Sequence, residues 1–289
     1  MRIDVNRLLG LGVGPRSHHL SRRDARLYAL GVGFGADPLD ETDLEFVVER
    51  PDLKVVPTMA TIFADVILEL SLACKLERPE LAVHAEQHLE MLAPLATDSS
   101  FDVSGSITAI YDRGSDRGAE IHMQAEARLS GSGDPLFRAN YVTVARGDGG
   151  FDGPPPPHAE RPALPDTAPA HSIETRVAAN QALLYALNGD PNPIHTEPRL
   201  ARRAGFDRPL LHGLCTYGMA CRALLRSVCD GEPQRIAGFD ARFAAPVFPG
   251  DTLRFDIWHS HEKVQFAAHA LERDVAVLRN GVCRLQTKD

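Results

Sequence analysis

A segment rich in glycine and proline, residues 147–170, divides the 289-residue chain into two parts of similar length. It begins with the run Gly-Asp-Gly-Gly-Phe-Asp-Gly and continues with four consecutive prolines at residues 154–157. Because proline fixes its φ angle and lacks a backbone donor, such a segment cannot form a helix or a central strand. The sequence therefore predicts a first unit at residues 1–146, a surface linker at residues 147–171 and a second unit at residues 172–289.

Short similarities connect the two units. They occur in the same order and at nearly the same separation: residues 28–31 with 185–188, residues 55–61 with 210–216, and residues 93–95 and 101–103 with 245–247 and 255–257. One such similarity has little weight, but three in the same order indicate an old duplication. We therefore expect both units to share one fold.

The same coarse pattern of elements occurs in each unit. An apolar helical stretch, residues 58–74 in the first unit and 213–229 in the second, precedes runs with a period of two. These runs predict strands at residues 104–111, 119–129 and 137–144, and at residues 237–243, 252–259, 264–272 and 275–285. A long helix followed by an antiparallel meander indicates an α+β fold in which a sheet wraps around the helix.

Composition excludes several classes of protein. The net charge of -8 and the isoelectric point of about 5.8 provide no basic face for nucleic acid. The longest apolar stretch, residues 59–72, is interrupted by Asp65 and Glu69, so no membrane span is expected. Five cysteines without paired spacing indicate reduced thiols, and with no signal-peptide pattern we expect a cytoplasmic protein.

One loop of the second unit concentrates polar groups. Asp190, Asn192 and His195 stand close together, interleaved with Pro191 and Pro193. The prolines favour turns, so one interpretation is a rigid surface loop with a solvated carboxylate and an incidental histidine. The same rigidity would hold a carboxylate and an imidazole in the fixed geometry that acid–base chemistry requires.

Gly213 opens the apolar helical stretch of the second unit. It is either a packing residue or a donor, because the first N–H groups of a helix and its dipole together form an anion site. The first unit has none of the candidate groups. Counted from the matched tyrosines, the three loop positions are occupied there by Gly33, Gly35 and Pro38, and Thr58 stands where Gly213 does. We therefore expect one active unit and one silent unit.

The second unit resembles the hydratase 2 motif of MaoC-like enoyl-thioester hydratases, in the hot-dog superfamily. The matching positions are residues 185–195, 198, 201, 205–206, 209, 211–218, 243–251 and 274–281. Over residues 28–37, 84–87 and 149–151 the first unit is similar to the N-terminal repeat of two-repeat members, including the hydratase part of peroxisomal multifunctional enzymes. Ala85 departs from the glycine of many members. The resemblance implies a double hot-dog fold, with each antiparallel sheet wrapped around a central helix.

The resemblance also implies a reaction and the residues that perform it. Asp190 and His195 would be the catalytic pair, Asn192 would help to orient them, and the amide of Gly213 would stabilise an oxyanion. The implied reaction is the reversible syn addition of water to a trans-2-enoyl-CoA, which gives the (3R)-hydroxyacyl-CoA. It needs no metal or redox cofactor, and the family resemblance suggests a homodimer.

Other interpretations stay open at this point. The chain could dehydrate a (3R)-hydroxyacyl thioester on acyl carrier protein or in a specialised pathway, or it could bind acyl-CoA without catalysis. His195 and His212 have the residue type of metal ligands, but no third ligand lies at metal-site spacing in the sequence. The candidate substrate-binding residues are Arg202, Arg203 and Arg208. They would either bind the CoA phosphates or form a solvated helix face.

Overall fold

The structure is a computed structural model that describes residues 3–158, 163–260 and 263–286. In these ranges the helices are α1 Val5–Leu8, α2 Arg22–Gly31, α3 Glu41–Val47, α4 Asp65–Ala73, α5 Gln181–Ala186, α6 Pro198–Arg203 and α7 Gly213–Ser227. The strands are β1 Gly12–Leu20, β2 Ala82–Met91, β3 Ser99–Asp112, β4 Ala119–Leu129, β5 Pro135–Ala145, β6 His171–Arg176, β7 Ile236–Phe243, β8 Thr252–Ser260, β9 Lys263–Ala270 and β10 Val275–Leu285. None of the described helices combines the length and apolar character that a membrane crossing requires.

All ten strands join one antiparallel sheet in the order β1-β3-β4-β5-β2-β7-β10-β9-β8-β6. The two units meet at β2 and β7, where Glu86 pairs with Arg242 and His88 pairs with Asp240. Counted outward from this junction, both units have the same strand order, as expected for repeats of one fold. The α+β double hot-dog fold is therefore confirmed, with the two repeat sheets fused into one.

Helix α7 is the central helix of the second unit. Its residues from Cys215 to Leu225 are buried, and the hydroxyl of Tyr217 donates to the carbonyl of Phe239 on β7 at 2.5 Å. An apolar helix packed on the sheet in this way removes a large hydrophobic surface from water. The helix begins at Gly213 and so projects its first amides toward the loop that precedes it.

The prediction of one helix over residues 58–74 of the first unit was wrong. A 3-10 helix, Pro57–Ile62, is followed by a break and then by α4. The carbonyl of Thr61 accepts a hydrogen bond from the Tyr141 hydroxyl at 2.8 Å. In a continuous α-helix that carbonyl would accept from the amide four residues later. A tertiary contact therefore occupies the acceptor at the break.

The sequence patterns did not predict β1, β2 and β6. Strands β1 and β6 are the two edges of the sheet and are mostly exposed, so they have little apolar alternation. β6 begins at His171, the last residue assigned to the linker. β2 is central, but its exposed and half-buried face is rich in histidine and glutamate, which hides the period of two.

Matched residues of the two units pack against each other. The rings of Tyr28 and Tyr185 lie 6.1 Å apart, and Gln181 donates from Nε2 to the carbonyl of Gly31 at 2.6 Å. Helices α2 and α5 are therefore in contact across the junction. Because the polar loop of the second unit follows α5 directly, this packing positions that loop beside the first unit.

Candidate functional site

The loop between α5 and α6 is folded by its own side chains. Gly189 has a φ of 102°, a left-handed conformation that favours glycine and turns the chain out of α5. The amide of Asn192 then donates to Oδ1 of Asp190 at 3.0 Å, and the amide of Ile194 donates to Oδ1 of Asn192 at 3.2 Å. Asn192 thus fixes the half-buried carboxylate of Asp190 and caps the 3-10 helix Pro193–His195.

Two hydrogen bonds tie the His195 turn to the segment before α7. The amide of Leu210 donates to the carbonyl of Ile194 at 3.3 Å, and Nδ1 of His195 lies 3.1 Å from the carbonyl of Leu210. Because a carbonyl oxygen only accepts, Nδ1 must carry the proton of the neutral ring. Nε2 of His195 therefore has a lone pair that can accept a proton or bind a metal ion.

The fold brings Asp190, His195 and His212 into one cluster. A carboxylate oxygen and one nitrogen from each ring all lie within 4.8 Å of one another. The two imidazoles stack with their centroids 3.8 Å apart at an angle of 28°. Burial lowers the pKa of His195 below its ordinary value, against the attraction of the Asp190 carboxylate. At neutral pH His195 is therefore mostly the neutral base.

His212 is the functional candidate that the sequence patterns underrated. Its side chain is only 1% exposed, and its ring nitrogens make no well-aligned hydrogen bond with the described residues. A weaker contact with the backbone of Asp190 acts to raise its pKa. Burial and the neighbouring His195 lower the pKa of His212 to about 4. The sequence spacing indicates no third metal ligand beside the two histidines, and the fold places Asp190 next to them. A histidine next to the glycine that opens a helix was the available signal.

Gly213 is the first residue of α7, and His212 is its N-cap. The carbonyl of His212 accepts from the amides of Cys215 and Thr216 at 3.1 and 3.2 Å. Because Gly213 is the first residue of the helix, its own amide has no intrahelical acceptor. A Cβ at this position would lie 3.2 Å from Cε1 of Phe243. The absence of a side chain therefore lets the ring of Phe243 approach the helix start. The Gly213 amide lies at this end of the helix, where the helix dipole is positive.

The first unit contributes His84 to the same region. Its ring lies 4.9 Å from Phe243 and 5.5 Å from Tyr141, and Nε2 lies 3.1 Å from the carbonyl of Glu86. Burial lowers the pKa of His84 to about 4, and the negative charge of Asp190 opposes that shift. The candidate site is therefore built from both units. The sequence offered His84 only as part of the motif at residues 84–87.

The three arginines lie outside this cluster. Arg202 and Arg203 end α6 with exposed side chains. Arg208 is also exposed, but its Nη2 lies 3.5 Å from Oδ1 of the buried Asp251, and its guanidinium lies 5.0 Å from the ring centre of Phe248. Arg208 is thus partly engaged in the protein, whereas the other two follow the polar loop along the surface.

Fold and site together define a double hot-dog protein in which a carboxylate and two imidazoles form one cluster, with His212 of that cluster directly before the helix start at Gly213. Residues 160–280 match a family model described as the MaoC like domain, and residues 18–147 match the MFE-2 hydratase 2 N-terminal domain. The chain is similar to the enoyl-CoA hydratase ChsH3 of Mycobacterium tuberculosis, with 33% identity over 98% of each chain. The chain belongs to the MaoC-like hydratase 2 family.

Two further similarities extend this finding. The chain is 35% identical to 3-hydroxyacyl-thioester dehydratase Y of Mycobacterium tuberculosis, over 90% of this chain and 89% of that protein. It superposes on the crystal structure of a MaoC-like dehydratase from Phytophthora capsici with a TM-score of 0.87, 28% identity and 99% coverage of both chains. Both similarities extend across both repeats.

Proposed function

We propose that this chain is a hydro-lyase, a (3R)-specific trans-2-enoyl-CoA hydratase, with its active site in the second repeat. The observation that carries the proposal is the geometry of Asp190 and His195, a carboxylate and a neutral imidazole held in one cluster beside a helix start. Relatives named enoyl-CoA hydratase and thioester dehydratase support the reaction class. The reaction adds water across the double bond of an enoyl thioester.

The tautomer of His195 assigns a direction to the proton transfers. Its Nδ1–H donates to the Leu210 carbonyl, so Nε2 is positioned to accept a proton from water. The second carboxylate oxygen of Asp190 accepts a hydrogen bond from the other O–H, which stays intact and becomes the product hydroxyl, and so orients the same water. The oxygen bonds to the β-carbon, and the proton taken up by His195 is returned to the α-carbon on the same face. Water is thereby added in full, in the syn sense, without a metal or redox cofactor.

The amide of Gly213 stabilises the negative charge that this addition creates. Attack at the β-carbon moves an electron pair onto the thioester oxygen and forms an enolate. A donor fixed at a helix start needs no reorganisation when the charge develops. Removal of such a donor typically costs roughly 100- to 1000-fold in turnover, which makes the amide as important as the acid–base pair.

Dehydration of a (3R)-hydroxyacyl thioester is the second candidate, because it is the reverse of the same reaction. The similarity to a protein named 3-hydroxyacyl-thioester dehydratase favours it. Direct comparison of CoA thioesters with acyl carrier protein thioesters separates the two candidates. A third interpretation, an acyl-CoA-binding protein without catalysis, would leave the assembled acid–base cluster without a role.

The deciding experiment is the hydration of crotonyl-CoA with chiral analysis of the product. The expected product is the (3R)-hydroxybutyryl-CoA. The variants Asp190→Asn and His195→Gln should each lower turnover by roughly 100-fold or more, with an unchanged circular dichroism spectrum. Asp116→Asn, at an exposed turn of the first unit, is the matched control and should keep the wild-type rate. No hydration by the wild type would favour the binding protein, and wild-type rates in all three variants would exclude Asp190 and His195 from the mechanism.

We propose that Arg202 and Arg203 meet the CoA phosphates. Both are exposed and directly follow the catalytic loop along the surface. Replacement of both by alanine should raise KM for CoA thioesters several-fold and leave KM for pantetheine thioesters, which lack the nucleotide, unchanged. An equal change for both substrates would assign the two arginines to the solvated face of α6.

We also propose that the chain forms a homodimer and is located in the cytoplasm. The family resemblance supports the homodimer, and sedimentation of the purified chain at several concentrations tests it. Reduced cysteines support a reducing compartment. Microscopy of the tagged chain tests the location.

A further inference from the structure

The catalytic cluster has a chemical property that the hydration reaction does not use. Asp190, His195 and His212 supply one carboxylate oxygen and two imidazole nitrogens, all within 4.8 Å of one another. Two histidines and one carboxylate are a ligand set that zinc binds in proteins, with water in the fourth position. Imidazole nitrogens favour zinc over magnesium, which prefers oxygen ligands and retains its water.

The state of His212 independently indicates a missing partner. The ring is 1% exposed and stacks on His195, yet its nitrogens make no well-aligned hydrogen bond with the described residues, and the backbone of Asp190 provides only a weaker contact. A buried polar group without a partner is rare in native proteins and costs free energy. The hydroxyl of Tyr185, whose ring centre lies 4.9 Å from that of His212, is also buried without a described partner. A bound cation would occupy the lone pair of His212.

His195 is already oriented as a metal-binding imidazole. Its Nδ1 lies at hydrogen-bond distance from the Leu210 carbonyl, and metal-binding histidines usually donate their second ring nitrogen to such a group. This contact leaves Nε2 on the side of the ring away from the backbone. Asp190 is half-buried on a surface loop, so an ion in solvent has a route to the cluster.

A bound zinc ion requires close ligand atoms. Zinc bonds of about 2.0–2.1 Å in a tetrahedron place ligand atoms roughly 3.3 Å apart, within the 4.8 Å limit that contains the three groups here. The Asp190 side chain is half-buried, so rotation of its carboxylate can adjust its distance to the ion without movement of the proline-stiffened loop. A ligand that adjusts in this way suits reversible binding better than a permanent structural ion.

We propose that Asp190, His195 and His212 form a reversible zinc-binding site, and that the bound ion inhibits the enzyme. The ion would take the lone pair of His195 and the position of the reacting water, so hydration and zinc binding would exclude each other. The binding half of this proposal is independent of the reaction. The inhibition half rests on the proposed function.

The test is a titration of the full chain with Zn²⁺ in competition with a fluorescent zinc indicator, and Mg²⁺ serves as the control ion. One zinc per chain should bind, and both His212→Asn and Asp190→Asn should weaken the affinity about tenfold or more. Replacement of zinc by Co²⁺ should give the intense visible absorption of a tetrahedral site. His171→Gln, which removes an exposed histidine at the start of β6, should change neither result.

Two results would overturn the site. Zinc binding of equal affinity in the wild type and both cluster variants would assign the ion to surface histidines. The absence of binding at roughly 100 micromolar zinc, which means a Kd weaker than about 10⁻⁴ M, would reject the site altogether. If His212→Asn fails to fold, Asp190→Asn on its surface loop gives the same reading. Zinc binding by a chain that hydrates no thioester would support the site and reject the proposed function. Hydration activity that zinc does not inhibit would reject the proposed inhibition by the bound ion.

Discussion

Replacement of Asp43 by asparagine should destabilise the protein through the junction of the two repeats. Asp43 on α3 is fully buried, and Arg222 on α7 is 7% exposed. Nη2 of Arg222 lies 2.6 Å from Oδ2 of Asp43, and Nε lies 3.2 Å from the same oxygen. The same oxygen accepts from the amide of Gly35 at 3.0 Å. The Asp43 carboxylate therefore connects the loop that contains Gly35 in the first unit to the central helix α7 of the second unit.

The expected loss follows from the charge that stays behind. Removal of one partner of a buried ion pair costs about 3–5 kcal/mol, because the other charge is left without compensation. Asparagine keeps an acceptor for the Gly35 amide, so we expect the lower end, about 3 kcal/mol. With an unfolding entropy of about 2.1 cal/mol/K per residue over the whole chain, this loss lowers Tm by about 5 °C.

Urea denaturation followed by circular dichroism measures the free energy of unfolding. Glu69→Gln is the control, because Glu69 pairs with Arg16 at 2.7 Å and both side chains are about half exposed. A surface pair of this kind contributes at most about 1 kcal/mol. The double variant Asp43→Asn with Arg222→Met removes the uncompensated charge and should be more stable than Asp43→Asn alone.

A loss for Asp43→Asn no larger than that of the control would refute the reasoning. It would show that water or a rearranged partner solvates the Arg222 guanidinium after the substitution. A double variant less stable than Asp43→Asn would refute the argument that the uncompensated charge of Arg222 causes the loss of stability. The packing of Arg222 over Phe34, with its Cζ 5.6 Å from the ring centre, would then outweigh its charge.

Two predictions concern pH. Burial lowers the pKa of His195 below its ordinary 6.5, so kcat/KM should fall on acidification with a midpoint below pH 6.5, measured on crotonyl-CoA. Burial also opposes the charge of His88, but Asp240 and Glu86 outweigh it and raise its pKa to about 9. The stabilisation from His88 is therefore fully present below pH 6.5 and is lost as the pH rises through 9, as urea unfolding should show.

Each pH prediction has its own control. Activity should be compared at pH values where circular dichroism shows a folded chain, and an acid midpoint above 6.5 would contradict a buried neutral His195. For the alkaline loss of stability, His88→Gln should flatten the pH dependence between about 6.5 and 9, the ordinary and the raised pKa values. The same slope in the variant would assign the effect to another group. Because the His88 side chain is 40% exposed, solvent screening reduces the size of the effect.

Local sequence patterns predicted those helices and strands in which the order of apolar and polar residues matches the pattern of burial. The period of two predicted β4 at residues 119–129, where alternate residues are buried. It also predicted β10 at residues 275–285, where the alternation is interrupted at Val277 and Leu278, which are both buried. The apolar stretch beginning at Gly213 predicted α7, because most residues of this helix are buried. The proline-stiffened loop predicted that Asp190 and His195 would be near each other, since few residues separate them.

Tertiary structure alone decided how distant residues complete the site. His212 and His84 lie on different elements from Asp190, and His84 comes from the other repeat, so no local spacing reports that they meet. At the break before α4 the Thr61 carbonyl accepts from the hydroxyl of Tyr141, a sheet residue far along the chain. Local patterns record which face of an element is buried, whereas the identity of the group on the other side depends on how the two repeats pack.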